Sequence, residues 1–353
     1  MISLSPKFQN PKSALVAMSG GVDSTVAAML SMQSGIECDG ATMLLFPGGE
    51  QTVDSARAVA DSLGIPFHVF DFSDCFSDVV INDFISEYSV GHTPNPCVVC
   101  NKNLKFGRLL DKARELGKEC IVTGHYVQVE CDVNGRYQLK KGVDLSKDQS
   151  YALYTLSQEQ LSQSLYPLGK LTKTEVREIA MGAGLVNASK SESQDICFIP
   201  DGDYVGYIER YTGKVLQKGR FVSVDGKDLG ECKGVSAYTV GQRRGLGLSM
   251  PHPPYVVELH PEDNIVIVGK EEMLYSKSLV AKNINLITVD VLDVPIRAQV
   301  KIRYSDPGHI ATVRQIDADT LLVEFDEPQR AITKGQSAVI YDGDFVVGGG
   351  VIV

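Results

Sequence analysis

The segment MSGGVDST, Met18 to Thr25, stands between an apolar run, SALVAM, and an alanine-rich stretch with helical spacing from Val22 to Gln33. Two consecutive glycines, Gly20 and Gly21, let the backbone turn sharply and approach a ligand closely. A helix starting there would point its first free amides, and the positive end of its dipole, at an anion. Ser19, Ser24 and Thr25 add hydroxyl donors. The segment reads as a phosphate loop between strand and helix, but it lacks the lysine of the Walker pattern. It also carries Asp23, a carboxylate that fits an anion site when a magnesium ion lies between it and the phosphates. The competing reading is a glycine turn with a serine cap.

Outward from the loop, strands and helices alternate. GATMLLF predicts a second strand, VDSARAVADSLG a helix with a glycine stop, and PFHVFD a third strand. NLKFGRLLDKARELG spaces Phe106, Leu109, Leu110, Ala113 and Leu116 as one helix face, and ECIVTGH follows as a strand. LTKTEVREIAMGAG opens with the Thr172–Glu175 spacing of a capping box. Such alternation implies an α/β fold, a parallel sheet covered on both faces. Near residue 205 the character changes. YVVELH and NIVIVG flank a turn-rich PEDN and predict a hairpin; from about 276 the pattern is all strand (RAQVKIRY, HIATVRQI, TLLVEFD, QSAVIY, FVVGGGVIV), which suggests a small barrel or sandwich. Three domains are expected: 1–205, 206–272 and 273–353.

The 353 residues are 43% hydrophobic and 22% charged, an ordinary soluble composition. No apolar run is long enough to span a bilayer, and the opening MISLSPKFQNPK has no apolar core, so a cytoplasmic protein with no membrane partner is expected. Eight cysteines then point to thiol or metal chemistry rather than a disulfide framework. A net charge of −10 argues against a nucleic-acid partner, yet residues 101–118 carry Lys102, Lys105, Arg108, Lys112, Arg114 and Lys118 against Asp111 and Glu115. A local patch can bind phosphates while the total stays acidic. A solvated helix face is the plainer reading.

Within GHTPNPCVVCNKNLKFG, Cys97 and Cys100 form a CxxC directly before this basic helix, and SESQDICFIP places Cys197 in a polar segment. A cysteine at a helix start among lysines is expected to have a depressed pKa and to be a good nucleophile. Alternatively Cys97, Cys100, His92 and Cys197 make a complete zinc set, or the pair is redox-active, or the thiols are inert. Cys38, Cys75, Cys120, Cys131 and Cys232 stand alone and read as inert, and His68 as a packed strand residue.

The loop resembles the signature of the PP-loop, or N-type, ATP pyrophosphatases, which cleave ATP between the α- and β-phosphates. Within that group the ordered motifs AMSGGVDST, TPNPCVVCN, KFG, TGHY, KDQSY, SQDICFI, YTVGQRRGLGL, RYSD and KGQSAVIY resemble the tRNA-specific 2-thiouridylases over nearly the whole chain. The resemblance implies a PP-loop domain, a small central domain and a C-terminal β-barrel. It implies that Ala17, Met18, Ser19, Gly20, Gly21, Val22, Asp23 and Ser24 hold the phosphates of ATP with Mg2+, and that Met43 and Gly124 contact the nucleotide. Asn95, Pro96 and Cys97 would meet the target base. His125, the segment Lys147, Asp148 and Gln149, and the barrel residues Arg303, Tyr304 and Gln336 would contact tRNA at its anticodon loop. Cys100 would be the nucleophile and Cys197 the persulfide carrier, charged by a sulfur donor protein and passing through a Cys100–Cys197 disulfide. Some members have an aspartate where this chain has Cys97. With a third thiol present, Cys97, Cys100 and Cys197 could instead ligate a 4Fe-4S cluster. A PP-loop synthetase that adenylates a small molecule, and a purely RNA-binding protein, are the other readings.

Overall fold

The computed structural model describes residues 11–185, 196–250 and 252–353. The first strands are β1 (Ser13–Ala17), β2 (Glu37–Leu44), β3 (Phe67–Asp71) and β4 (Cys120–Val122); a hairpin of β5 (Val127–Cys131) and β6 (Tyr137–Lys141) and the short β7 (Ser164–Leu165) follow. Five of these form a sheet in the order β3-β2-β1-β4-β7, with every neighbouring pair parallel. The period-two alternation of β1 explains why both faces are covered. Leu15 packs into one core with Phe76, Phe84 and Leu109, while Ala14 and Val16 pack into another with Val26, Val59 and Val176. Burying each such Leu or Phe side chain contributes about 1.5–3 kcal/mol.

Helix α1 (Val22–Gln33) follows β1, and α2 (Glu50–Leu63) follows β2. The basic segment is helical from Pro96–Cys100 through Leu109–Glu115, but Asn101–Arg108 between them is wound as a π-helix. Helix α3 (Lys173–Gly182) starts at Thr172, whose side chain and that of Glu175 make the expected reciprocal capping box.

After the helix Tyr204–Thr212, strands β8 (Gly219–Ser223), β9 (Asp228–Cys232), β10 (Tyr255–His260) and β11 (Ile265–Gly269) form a sheet in the order β10-β11-β8-β9. The expected YVVELH–NIVIVG hairpin is the antiparallel β10–β11 pair. The last strands are β12 (Tyr275–Leu286), β13 (Ile296–Lys301), β14 (His309–Asp317), β15 (Thr320–Arg330), β16 (Ser337–Asp342) and β17 (Phe345–Ile352). They run β12-β15-β14-β13-β16-β17, and β12 pairs again with β17, which closes a six-stranded barrel. Closure removes the exposed edges an open sheet would present. The β5–β6 hairpin, inside the span assigned to the first domain by sequence, joins this barrel sheet through Phe345 opposite Lys140.

Candidate active site

The order β3-β2-β1-β4 reverses direction at β1, so the chain leaving β1 enters the crevice where doubly wound sheets bind ligands. The glycine loop is that chain. Gly20 has φ +67°, and a Cβ there would stand 2.5 Å from Cβ of Ser55. Gly21 is the extended N-cap of α1. Met43 lies near the end of β2 and Gly124 just beyond β4, the two strands that flank β1. A Cβ on Gly124 would meet the backbone N of Ser24 at 2.9 Å, so only glycine allows this close approach. The hydroxyls divide in function. Thr25 is fully buried and donates to the Gly21 carbonyl at 2.8 Å, closing the helix turn. Ser24 Oγ accepts from the Ser19 amide at 3.2 Å and so fixes the loop.

Asp23 is already partnered. Its carboxylate receives the Lys173 ammonium at 2.7 and 2.8 Å and the Tyr126 hydroxyl at 2.8 Å. Lys173, only 8% exposed, is the first residue of α3, and its own amide donates to Asp144 at 2.9 Å. A lysine therefore does stand at the phosphate loop, supplied from 150 residues downstream rather than from within the loop. The hard oxygen donors of Asp23 and the loop hydroxyls suit Mg2+, but in this conformation the carboxylate that would face the ion is held by Lys173 and Tyr126.

The cysteine segment opens the basic helical run. Asn95 stands at the N-cap position of the helix Pro96–Cys100, with Pro96 at its first position. All eight cysteines are free thiols. The expectation of depressed thiol pKa values is reversed: burial pushes Cys100 up to about 12 and Cys197 up to about 11, and raises Cys97. Protein packed around the sulfurs withdraws the water that would solvate a thiolate, and this outweighs the single favourable charge, Lys105. Cys97 and Cys197 keep solvent contact and Cys100 is half-buried. The charge of Lys105 acts on all three thiols. Five residues along an α-helix Lys105 would point well away from Cys100; the wider π-helical winding over Asn101–Arg108 brings such positions back toward one face. Of SESQDICFIP, residues 191–195 lie outside the described residues. Among the described residues no three His, Cys, Asp or Glu side chains converge as a metal set, so neither the zinc nor the iron–sulfur reading has a ligand constellation here. His92 instead pairs with Glu87 at 2.8 Å, and His68 with Asp39 at 2.9 Å.

His125 is 8% exposed, with Thr123 Oγ1 at 2.8 Å from Nδ1 and Lys105 Nζ at 3.4 Å from Nε2. Burial and the nearby Lys105 charge hold its pKa well below the usual value, so the ring is neutral. With an ammonium facing Nε2, that nitrogen accepts and Nδ1–H donates to Thr123. In this conformation His125 supports Lys105.

The barrel reaches back to this region. Gln336 Nε2 donates to the Thr93 carbonyl at 2.8 Å, and the Thr93 amide donates to the Lys334 carbonyl at 2.8 Å, so the barrel clamps the chain just ahead of Asn95. Tyr304 donates to the Asp148 carbonyl at 3.2 Å, and Gln149 Oε1 accepts from the Tyr126 amide at 3.0 Å. Arg303 is half-buried, its guanidinium donating to the Arg330 carbonyl at 3.5 Å. Half of the basic segment is neutralised: Lys112 pairs with Glu115, Arg114 with Asp111 and Glu159, and Lys118 with Glu37 and Asp39. Lys102 and Arg108 are exposed, and Lys105 half-buried.

Sequence reasoning missed Lys173 and Tyr126 as partners of Asp23. The capping box located the start of α3, but nothing in local pattern ties residue 173 to residue 23. Comparison with known proteins agrees with the architecture. Residues 12–201 match the family model described as a tRNA methyl transferase HUP domain, 206–270 the tRNA methyl transferase PRC-barrel domain, and 276–352 the aminomethyltransferase beta-barrel domain. The tRNA-specific 2-thiouridylase MnmA of Clostridioides difficile is 46% identical over 98% of this chain and 99% of its own length. The MnmA 1 protein of Caldanaerobacter subterraneus is 48% identical over 96% of this chain and 97% of its own. With such identity along almost the whole length of both partners, the chain belongs to the MnmA family of tRNA-specific 2-thiouridylases.

Proposed function

We propose that this protein replaces the C2 oxygen of the wobble uridine of tRNA by sulfur, using ATP. The observation that carries the reading is the pair Gly124–His125. Gly124 lies against the Asp23–Ser24 backbone of the phosphate loop, and the next residue meets Lys105, whose charge faces the thiols. On this reading two consecutive residues would join an ATP site to a sulfur site, an arrangement that a synthetase using ammonia, or a simple RNA-binding protein, would not require.

In the first step the uridine O2 attacks the α-phosphorus of ATP, and pyrophosphate leaves from the glycine loop. The α1 amides, with Lys173 beside them, suit the departing charge. Mg2+, when bound, neutralises the phosphates; Asp23 would hold it once Lys173 shifts from the carboxylate to the phosphates. In the second step the outer sulfur of a persulfide on Cys197 attacks C2 and AMP leaves; Cys100 then attacks Cys197 Sγ, breaking its bond to the outer sulfur, so that 2-thiouridine is freed and a Cys100–Cys197 disulfide remains. If Cys100 attacks Cys197 Sγ first, the outer sulfur departs as hydrosulfide and itself displaces AMP from C2; in either order an external thiol must reduce the Cys100–Cys197 disulfide. A persulfide-bearing donor protein reloads Cys197. The base of an anticodon loop is unpaired and can be splayed toward the segment Asn95, Pro96 and Cys97. Exposed Lys102 and Arg108, the 147–149 segment and the barrel residues Tyr304 and Gln336 would hold the RNA around it. The domains would fall at 1–205, 206–272 and 273–353, with the chemistry in the first. No step is routed through iron. The test is the aerobically and anaerobically purified full chain with tRNA, ATP and a persulfide donor. Iron-free protein that forms 2-thiouridine, with pyrophosphate release dependent on tRNA, supports the reading. Activity that tracks about four irons per chain would refute the persulfide route.

A further inference from the structure

In a chain of net charge −10, several basic side chains have carboxylate partners: Lys112, Arg114, Lys118 and Lys173. Lys141 and Lys301 do not follow that pattern. Lys141 ends β6, in the hairpin added to the barrel, and Lys301 ends β13 in the barrel wall. Their ammonium groups lie 4.5 and 5.9 Å from the centroid of one ring, that of Tyr341 on β16. Among the described residues neither has a carboxylate within ion-pair distance. Lys141 donates only to neutral oxygens, the Gly343 carbonyl at 3.1 Å and Gln299 Oε1 at 3.3 Å.

The carboxylates nearest Lys301 are committed elsewhere. Asp148 accepts from the Gly142 and Ser150 amides and the Ser150 hydroxyl, and Asp306 from the Ile302 and Gly308 amides with His309 beside it. The other titratable neighbours, Tyr341 and Tyr304, are neutral phenols. Burial and the charge of Lys141 lower the pKa of Lys301, and the committed carboxylates only partly oppose this. The charges of Asp148 and Asp306 offset part of the repulsion between the two ammoniums, but among the described residues no carboxylate pairs with either, so both keep donors for a further anion. The ring of Tyr341 gives both a polarisable floor, and its hydroxyl is fixed by Ser150 at 3.1 Å.

We propose that Lys141 and Lys301 form a seat for one backbone phosphate of the RNA substrate, on the barrel beside Tyr341. The seat rests on the tRNA reading above. It adjoins the surface expected to meet RNA, because Tyr304 ties the barrel to Asp148 and Lys301 lies two residues before Arg303. It recognises a phosphodiester and no particular base.

The test is titration of the full chain with tRNA at several salt concentrations. Lys141→Met and Lys301→Met keep the apolar stems and remove the charges. Together they are expected to weaken binding about tenfold at physiological salt and to lower the slope of log K against log salt by about 1. ATP affinity should not change, and the melting temperature without RNA should stay level or rise as the repulsion is relieved. Lys141→Arg with Lys301→Arg should retain the slope. An unaltered slope in the Met pair, while Lys102→Ala with Arg108→Ala lowers it, would overturn the seat alone. Equal weakening of ATP binding would also overturn it. A wild-type chain that binds no tRNA would overturn the functional reading and the seat together.

Discussion

Replacing Lys173 by methionine tests the reading of the phosphate loop most directly. The ammonium sits 2.7 and 2.8 Å from the two Asp23 oxygens, with the lysine side chain 10% and the aspartate side chain 30% exposed. Removing one partner of a buried pair strands the other charge, at a cost of about 3–5 kcal/mol when burial is complete. Water reaches Asp23 and the Tyr126 hydroxyl still donates to it, which trims the expected loss to about 2 kcal/mol. For a unit the size of the first domain that is a fall in melting temperature of about 4–8 °C. Adding Asp23→Asn removes the stranded charge, so the double variant should recover more than half of the loss. Differential scanning calorimetry of the four proteins gives the coupling energy, expected at about 1 kcal/mol or more. Pyrophosphate release should fall at least a hundredfold in Lys173→Met with tRNA affinity unchanged, since the lysine serves the departing phosphates. Additive melting shifts, or a variant with normal turnover, would refute both the ion pair and its assignment to the phosphate site.

Cys197→Ser should abolish 2-thiouridine, read by nucleoside mass spectrometry, while tRNA binding persists; thiolation at the wild-type rate would remove Cys197 as sulfur carrier. Lys102→Ala with Arg108→Ala should weaken tRNA binding and reduce its salt slope by about 2, leaving ATP binding intact. An unchanged slope would return this helix to a solvated face. Thiol burial also has a pH signature. An unfolded cysteine ionises near 8.5, whereas Cys100 is pushed up to about 12 and Cys197 to about 11. Their contribution to stability is complete below about pH 8.5 and is lost as pH climbs through those folded values. Melting temperature should therefore drop more steeply above pH 9 in the wild type than in Cys100→Ala. Alkylation of both thiols by iodoacetamide at pH 8 should be slower than that of a free cysteine; rapid labelling at pH 7 would contradict the burial argument.

Much of the local structure was legible in the residues themselves. Helix α1 spans the positions its spacing marks, the Thr172–Glu175 box caps α3, and the strand-by-strand alternation around Leu15 announces a covered parallel sheet. These are short-range consequences of periodicity, capping and glycine freedom, which neighbouring residues settle among themselves. The glycine loop is legible for the same reason, because strand, turn and helix are contiguous in the chain.

Partnership across the chain was not legible. Asp23 meets Lys173 and Tyr126, Lys105 meets His125, and the β5–β6 hairpin leaves the first domain for the barrel only because the packed elements bring distant segments together. The pKa values of the cysteines show the same division. A helix start among lysines predicts easy ionisation, and sequence supplies those nearby charges. How much protein surrounds each sulfur depends on the tertiary fold, and there desolvation outweighs the one cation that acts on them.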